Sequence, residues 1–292
     1  MPERRPTVSL VIPAYNEESH LAACLESIAA QSERPDEVLV VDNNSTDKTA
    51  EVAASFPFVR LIRESRQGPV FARDAGFDAA RFAIIGRIDG DTVLAPDWVA
   101  TVRAQFSMHP GLSAITGPVE YYDAPWRPLV GWFDLFFRRY LAKRLGSEMY
   151  LYGSNMAIRR EVWLVARELV CHRRQLHEDL DLAVHLSRLE GGTIKLVSSL
   201  RAAVSGRRLD TDLASFYRYI VGSPRTYAAH GLTSQRYMYR VVSFLLVMYG
   251  PLRVLFRACD PATGKFSLRA MYRIAKRREE RLSPIAEAST IN

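Results

Sequence analysis

The residues best suited to do chemistry lie in short polar turns, each following an apolar run. Asp89-Gly90-Asp91 closes the run 82–88 (FAIIGRI). Two carboxylates one residue apart can converge on a hard divalent cation held together with phosphate oxygens. The glycine between them lets the backbone turn with no side chain in the way. The same tripeptide also suits a plain surface turn. Pro13-Ala14-Tyr15-Asn16-Glu17 follows 7–12 (TVSLVI). Pro13 stops a hydrogen-bonded ladder, Tyr15 offers a stacking face, and Asn16 and Glu17 offer hydrogen bonds, either to a ligand or to the start of a helix. The stretch from Asp42 to Asp47 follows 37–41 (EVLVV). There a carboxylate can read a nucleobase N–H or a ribose hydroxyl, or cap the next helix. A fourth acidic group, Glu178-Asp179, opens a segment whose apolar stripe is Leu182, Leu186 and Leu189. A helix dipole favours an ionised Asp179 ready to accept a proton, although first-turn acids are also common on helices that do no chemistry.

The elements that must position these turns alternate. Strands are expected over 7–12, 37–41, 58–62 and 82–88, and helices over 17–31, 48–56, 69–80 and from 96 to about 106. This rhythm predicts an α/β fold: a doubly wound, mostly parallel sheet with helices on both faces. Ligands of such sheets bind at the carboxyl ends of the strands, where the three turns fall. Further on, strands are expected over 112–119 and 193–197. Helices are expected over 179–189, closed by Gly191-Gly192, and over 211–230 and 237–258. The aromatic-rich, basic segment 126–145 reads as a helix packed on the core, or as one lying at a membrane boundary. With no linker before about 230, the chain divides into a domain over 1–230, with halves 1–110 and 111–230, and a helical, basic appendage over 231–292.

Composition narrows the classes. The chain has 292 residues, 48% apolar and 24% charged, which suits a real core and excludes disorder as the main state. Its 3 cysteines, Cys24, Cys171 and Cys259, are far apart and belong to no CxxC or Cys/His cluster in the sequence. Neither a disulfide framework nor a structural zinc site is expected, and a reducing compartment fits. No GxGxxG follows a strand, which excludes a dinucleotide-binding dehydrogenase. Between 251 and 282 nine basic and three acidic residues give +6 of the chain's net +7, a pattern suited to an anionic surface. The apolar run 241–252 is expected to be too short to span a bilayer, with Pro251 breaking a spanning helix. The N-terminal stretch predicts no cleaved leader.

Taken in order, the motifs resemble family-2 glycosyltransferases, which have the GT-A fold. VSLVIPAYNEE, EVLVVDNNSTDKT and the DxD within RIDGDTVLAPDWV match the family's nucleotide-sugar half. Gly68 through Ala72-Arg73-Asp74-Ala75-Gly76 is similar to its glycine-rich segment, with Asp74 where Asn is usual. Gly153-Ser154-Asn155-Met156-Ala157-Ile158-Arg159-Arg160 resembles its acceptor-side G-x-N-x-x-x-R-R, and His177-Glu178-Asp179-Leu180-Asp181-Leu182 its E-D-x-D-L motif. The match runs from 7 to about 210.

The resemblance implies a role for each position. Pro13, Tyr15, Glu17 and Asp42 line a nucleoside pocket, with Arg73 near it. Asp89, Gly90 and Asp91 hold the ribose and a divalent cation, Mg2+ or Mn2+, with Asp91 the direct ligand. Gly153, Ser154 and Asn155 lie on the acceptor side. Asp179, beside Glu178, is the general base. Arg207 and Arg208 meet the diphosphate, which a guanidinium fork suits, or form a solvated pair. The implied reaction is inverting transfer of a sugar from a nucleotide-sugar donor to a hydroxyl or phosphate acceptor. That acceptor is a lipid-linked or envelope glycan precursor at the anionic, cytoplasmic face of the cell membrane, with the enzyme attached peripherally and no nucleic acid as partner. The absence of Q-x-x-R-W speaks for single transfer. Two alternatives stand beside this. A sugar nucleotidyltransferase would need a glycine-rich loop where the chain has IPAYNEE. The other is a non-catalytic nucleotide-sugar-binding protein.

Overall fold

The computed structural model describes residues 5–124 and 150–258, with 130–132, 135, 136 and 140 between them. They fall into two compact units, one drawn from Met1–Glu120 and Leu135–Val204, the other from Tyr121–Asp134 and Ser205–Asn292.

The first unit is built on β1 (Val8–Ala14), β2 (Glu37–Asp42), β3 (Val59–Arg63) and β4 (Ile84–Arg87), paired in parallel. Alternation along β1 and β2 explains the layers. Val8, Leu10, Ile12, Val38 and Val40 point to one face, where they pack with Leu21, Leu25 and Ile28 of α1 (Leu21–Ala29) and Trp98, Val102 and Phe106 of α4 (Trp98–Met108). Val11, Leu39 and Val41 point to the other, against Phe77 of α3 (Pro69–Ala79), Trp163 of α5 (Arg160–Ala166) and Leu182 and Leu186 of α6 (Glu178–Arg188). Strands buried on both faces read as continuous apolar runs, and the runs seen in the sequence have this cause. The short helix α2 (Thr49–Ala54) follows β2.

The sheet continues through two strands that fall within the expected 112–119 and 193–197 and through one that periodicity did not resolve. Its order is β3-β2-β1-β4-β8-β6-β9, with β6 (Ala114–Thr116), β8 (Met156–Arg159) and β9 (Ile194–Leu196). β8 lies between β4 and β6, antiparallel to both. A second sheet joins β5 (Val93–Leu94), β7 (Val119–Tyr121) and β10 (Ala202–Val204). The expected strand over 112–119 is thus β6 with the start of β7. The expected glycine cap of α6 is also absent: Leu189 ends the helix in extended backbone, and the left-handed Gly191 (φ 71°) belongs to the turn after it.

In the second unit the helix expected over 211–230 is two helices, α7 (Leu213–Ile220) and α8 (Gly222–Ala229). α9 (Gln235–Arg257) runs for 23 residues straight through Pro251, so the expected break does not occur. Phe216, Ile220, Val242 and Tyr249 form this unit's core. Arg257 donates to the buried Asp210, with Arg253 4.0 Å from the same carboxylate oxygen. Most of 126–145 lies outside the described residues. Trp132 and Phe136, which are described, are 61% and 53% exposed and do not pack as core. The basic segment past 258 is also outside the described residues.

α3 approaches the sheet closely because residue 76 is glycine. A Cβ there would stand 2.3 Å from Val11 Cγ1 and 2.9 Å from Val41 Cγ2. Gly76→Ala should therefore destabilise the protein by about 1–3 kcal/mol. Val11→Ala, which opens that space, should cost less in the Gly76→Ala background than alone, as a thermal-denaturation cycle will show.

Candidate active site

Register carries the polar turns to one edge. Ala14 stands opposite Asp42, and Val11 opposite Arg87, so β1, β2 and β4 release their turns on the same side of the sheet. Antiparallel pairing sets Met156 opposite Arg87, which brings Gly153-Ser154-Asn155 to that edge from the other direction.

The first two turns are stapled together. Asn16, left-handed at φ 54°, accepts from the Thr46 N–H at 2.9 Å and donates its own N–H to Ser45 Oγ at 3.1 Å. The Glu17 N–H donates to Thr49 Oγ1 at 2.7 Å, and Asp42 Oδ1 accepts from the Ser45 N–H at 3.1 Å. Asn43 extends the framework: its amide donates to the carbonyls of Glu64 and Arg66, at 2.9 and 2.7 Å, and its Oδ1 accepts from the Gly68 N–H at 2.7 Å. Pro13 and Tyr15 are half-buried beside these bonds.

The third turn presses against the first. A Cβ on Gly90 would lie 2.8 Å from Glu17 Cγ, so the bare α-carbon is what lets Glu17 reach the DxD turn. Asp89 keeps 43% of its side chain exposed, while Asp91 is buried. The Cys24 thiol below them is pushed well above its ordinary value by burial and then by the charges of Asp91, Glu17 and Asp89. Three carboxylates thus concentrate negative potential at one spot.

Arg87 ties this turn to the acidic helix. Its guanidinium is buried, and Nη2 donates to Asp89 Oδ1 and to Glu178 Oε1, each at 3.0 Å. Burial alone would lower its pKa, but the charges of Asp89, Glu178 and Asp179 hold it above the ordinary arginine value. The group has room because residue 153 is glycine: a Cβ there would sit 1.6 Å from Arg87 Nη1. The Gly153 N–H donates to Asp179 Oδ2 at 3.2 Å, and the Leu180 N–H to Asp179 Oδ1 at 2.8 Å. Burial would raise the Asp179 carboxyl. The nearby His177 and Arg87 charges and these two N–H donors outweigh it, so Asp179 is held below the usual carboxylate range.

Other expected residues meet the protein itself. Arg73 is fully buried, donating to Asp74 Oδ1 at 2.8 Å and to the Glu178 carbonyl at 2.6 Å, so it fixes α3 to the start of α6. Asn155 is fully buried: Trp98 Nε1 donates to its Oδ1 at 2.8 Å, and its amide donates to the Pro118 and Leu200 carbonyls, both at 2.8 Å. The Ser154 carbonyl accepts from Thr92 Oγ1 at 3.5 Å. Arg207 and Arg208 belong to the second unit, where the Arg208 guanidinium lies 3.7 Å from the Tyr219 ring centroid. The residue missed in the sequence is Arg87. Its signal was a charge inside an apolar strand, which demands a buried partner.

A doubly wound sheet that gathers its carboxylates at one edge is the architecture of GT-A glycosyltransferases. Residues 9–164 match the model of glycosyl transferase family 2, and the chain belongs to that family. Membership of that family removes the nucleotidyltransferase alternative. The chain is 29% identical to glycosyltransferase AglE of Haloferax volcanii over 54% of its length, and it likewise spans only about half, 54%, of that relative. Among solved structures it resembles mannosyltransferase PcManGT of Pyrobaculum calidifontis, in complex with GDP-Man and Mn2+ (TM-score 0.62, 19% identity, 99% of this chain and 84% of that one). It also resembles glucosyl-3-phosphoglycerate synthase of Mycobacterium tuberculosis, in complex with Mn2+, UDP-glucose and phosphoglyceric acid (TM-score 0.54, 22% identity, 79% of each chain).

A carboxylate held below its ordinary pKa stabilises the fold above the unfolded value of about 4 and loses that contribution as pH falls through its folded value. Wild type and Asp179→Asn should thus differ in melting temperature near neutrality and converge as pH drops below about 4. A difference independent of pH would show that the fold does not hold Asp179 ionised.

Proposed function

We propose that the chain is an inverting, cation-dependent glycosyltransferase that moves one sugar from a nucleotide-sugar donor to a hydroxyl or phosphate of a lipid-linked or envelope glycan precursor. One observation carries the reading: Asp89 of the DxD turn and Glu178 of the acidic helix share a single nitrogen of Arg87, so the donor-side and acceptor-side carboxylates belong to one site.

Asp89 and Asp91 fit a divalent cation. Both offer oxygen, the donor suited to Mg2+ or Mn2+, and they lie in the acidic field that Glu17 reinforces. The two solved structures that hold Mn2+ support a divalent cation. When bound, such a cation neutralises charge on the leaving diphosphate. Pro13, Tyr15, Glu17 and Asp42 border the nucleoside, on turns already braced against each other. Arg73 and Asn155 hold the helix start and the Gly153 turn in place from below. Asp179, kept ionised, takes the proton of the acceptor hydroxyl as that oxygen bonds to the anomeric carbon and the bond to the nucleoside diphosphate breaks. A single displacement inverts the anomeric centre.

Asp91→Ala should abolish transfer and cation-assisted donor binding while leaving the melting temperature nearly unchanged. Asp179→Asn should cut transfer by a factor on the order of 10² to 10⁴ with donor affinity little altered. A panel of UDP-, GDP- and dTDP-sugars with Mn2+, scored by nucleotide release and by isothermal titration, reads both. Full activity of Asp91→Ala, or of wild type in excess chelator, would overturn the cation-dependent mechanism.

The acceptor class is linked to a membrane reading. α9 is long and apolar enough to cross a bilayer by length and composition, and Phe244, Val247 and Val254 are exposed on it. With the basic residues that follow, its apolar side suits peripheral attachment to the inner face of the cell membrane, each basic residue near the surface adding about 1 kcal/mol. Transfer then belongs to 1–230 and attachment to 231–292. Full-length protein should sediment with anionic vesicles at low salt and be partly released at high salt, and truncation after His230 should abolish sedimentation. Indifference of the full chain to such vesicles would refute attachment and leave transfer untouched.

A further inference from the structure

No sequence motif suggests a second metal site, yet the fold gathers three side chains of metal-ligating type. The Cys171 thiol, an Asp181 carboxylate oxygen and a His185 ring nitrogen all lie within 4.8 Å of one another. Asp181 and His185 are one helical turn apart on α6, so both project from the same side, with His185 Nε2 3.7 Å from Asp181 Oδ1. Asp179, two positions back, projects from the opposite side of that helix. Cys171 comes from the chain between α5 and α6, and its N–H donates to Asp181 Oδ2 at 2.9 Å, which fixes the thiol's backbone to the carboxylate. Asp181 is fully buried, and the His185 side chain is only 15% exposed.

A sulfur, an imidazole nitrogen and a carboxylate oxygen form the donor set of a borderline or soft cation. Tetrahedral zinc takes such ligands at about 2.0–2.3 Å, which sets the ligand atoms roughly 3.3–3.8 Å apart. Mg2+ and Mn2+ prefer all-oxygen sites, so the Asp89-Asp91 turn and this cluster would sort different metals. We propose that Cys171, Asp181 and His185 bind Zn2+ at a site separate from the transfer chemistry. As the zinc–sulfur bond forms, the thiol proton passes to solvent. The effect of the bound zinc is to clip the 171 segment to the helix whose first turn carries Glu178 and Asp179.

The test uses the purified full chain, first stripped with chelator, and Co2+ as the spectroscopic ion. Wild type should take up one equivalent with a thiolate-to-cobalt charge-transfer band and the intense visible bands of four-coordination, and Zn2+ should displace it. Asp91→Ala should show the same band. Cys171→Ser should lose it, and His185→Gln should weaken binding at least about tenfold. Zinc should also raise the melting temperature of wild type and not that of Cys171→Ser. Should that variant fail to fold, alkylation of wild type followed by peptide mapping replaces it: Zn2+ should protect Cys171. A wild type with no thiolate band, a band that persists in Cys171→Ser, or alkylation of Cys171 that is indifferent to Zn2+ would overturn the site. None of these readouts depends on transfer activity.

Discussion

One buried guanidinium organises the edge where the chemistry is placed. Arg87 ends β4 in the interior, where an isolated charge is costly, and the cost is met only by anions drawn to it from elsewhere in the chain. Asp89 arrives two residues later, and Glu178 some ninety residues on, both against the same nitrogen. Asp179 adds its charge from the same helix start. These demands fix three things at once: the direction of the strand end, the seat of α6, and the need for a bare α-carbon at residue 153. Loss of either carboxylate would leave a buried cation under-compensated, so these segments are coupled through electrostatics as well as through the apolar core they share.

The parts of this arrangement that can be seen in the sequence are those set by local periodicity. β1 and β2 show as apolar runs because both faces are covered, and the acidic and amide-rich turns show because nothing else follows a strand so abruptly. β8 does not show. Its four residues include an arginine at the end, and its strand character comes from being clamped between β4 and β6. The continuity of α9 through Pro251 was hidden for a related reason, since a proline in a long helix can be carried by the turns on either side.

Side-chain partnerships are less legible still. Arg73 and Asn155 stand in motifs that suggested ligand contact, and the structure shows both engaged with protein groups, one joining α3 to α6 and the other joining Trp98 to two carbonyls. A motif records which residues a site requires without distinguishing those that touch a ligand from those that hold the backbone. The Cys171, Asp181 and His185 cluster was invisible for the complementary reason: ten and fourteen residues separate its members from the cysteine, and only the packing of α6 brings them together.

The bonds between the first two turns carry a consequence of their own. Asn16 with Thr46, Glu17 with Thr49 and Asn43 with the Gly68 segment close a framework from the protein's own groups. Such an edge has already lost its conformational entropy during folding, so a nucleoside seated there would not bear that loss again on arrival. Recognition would then proceed as docking to a preformed relief, with selectivity between bases residing in the outlines of Tyr15 and Asp42 and not in loop closure. A change of base preference would need only new side chains on an unchanged frame, which makes this edge readily adaptable over evolutionary time.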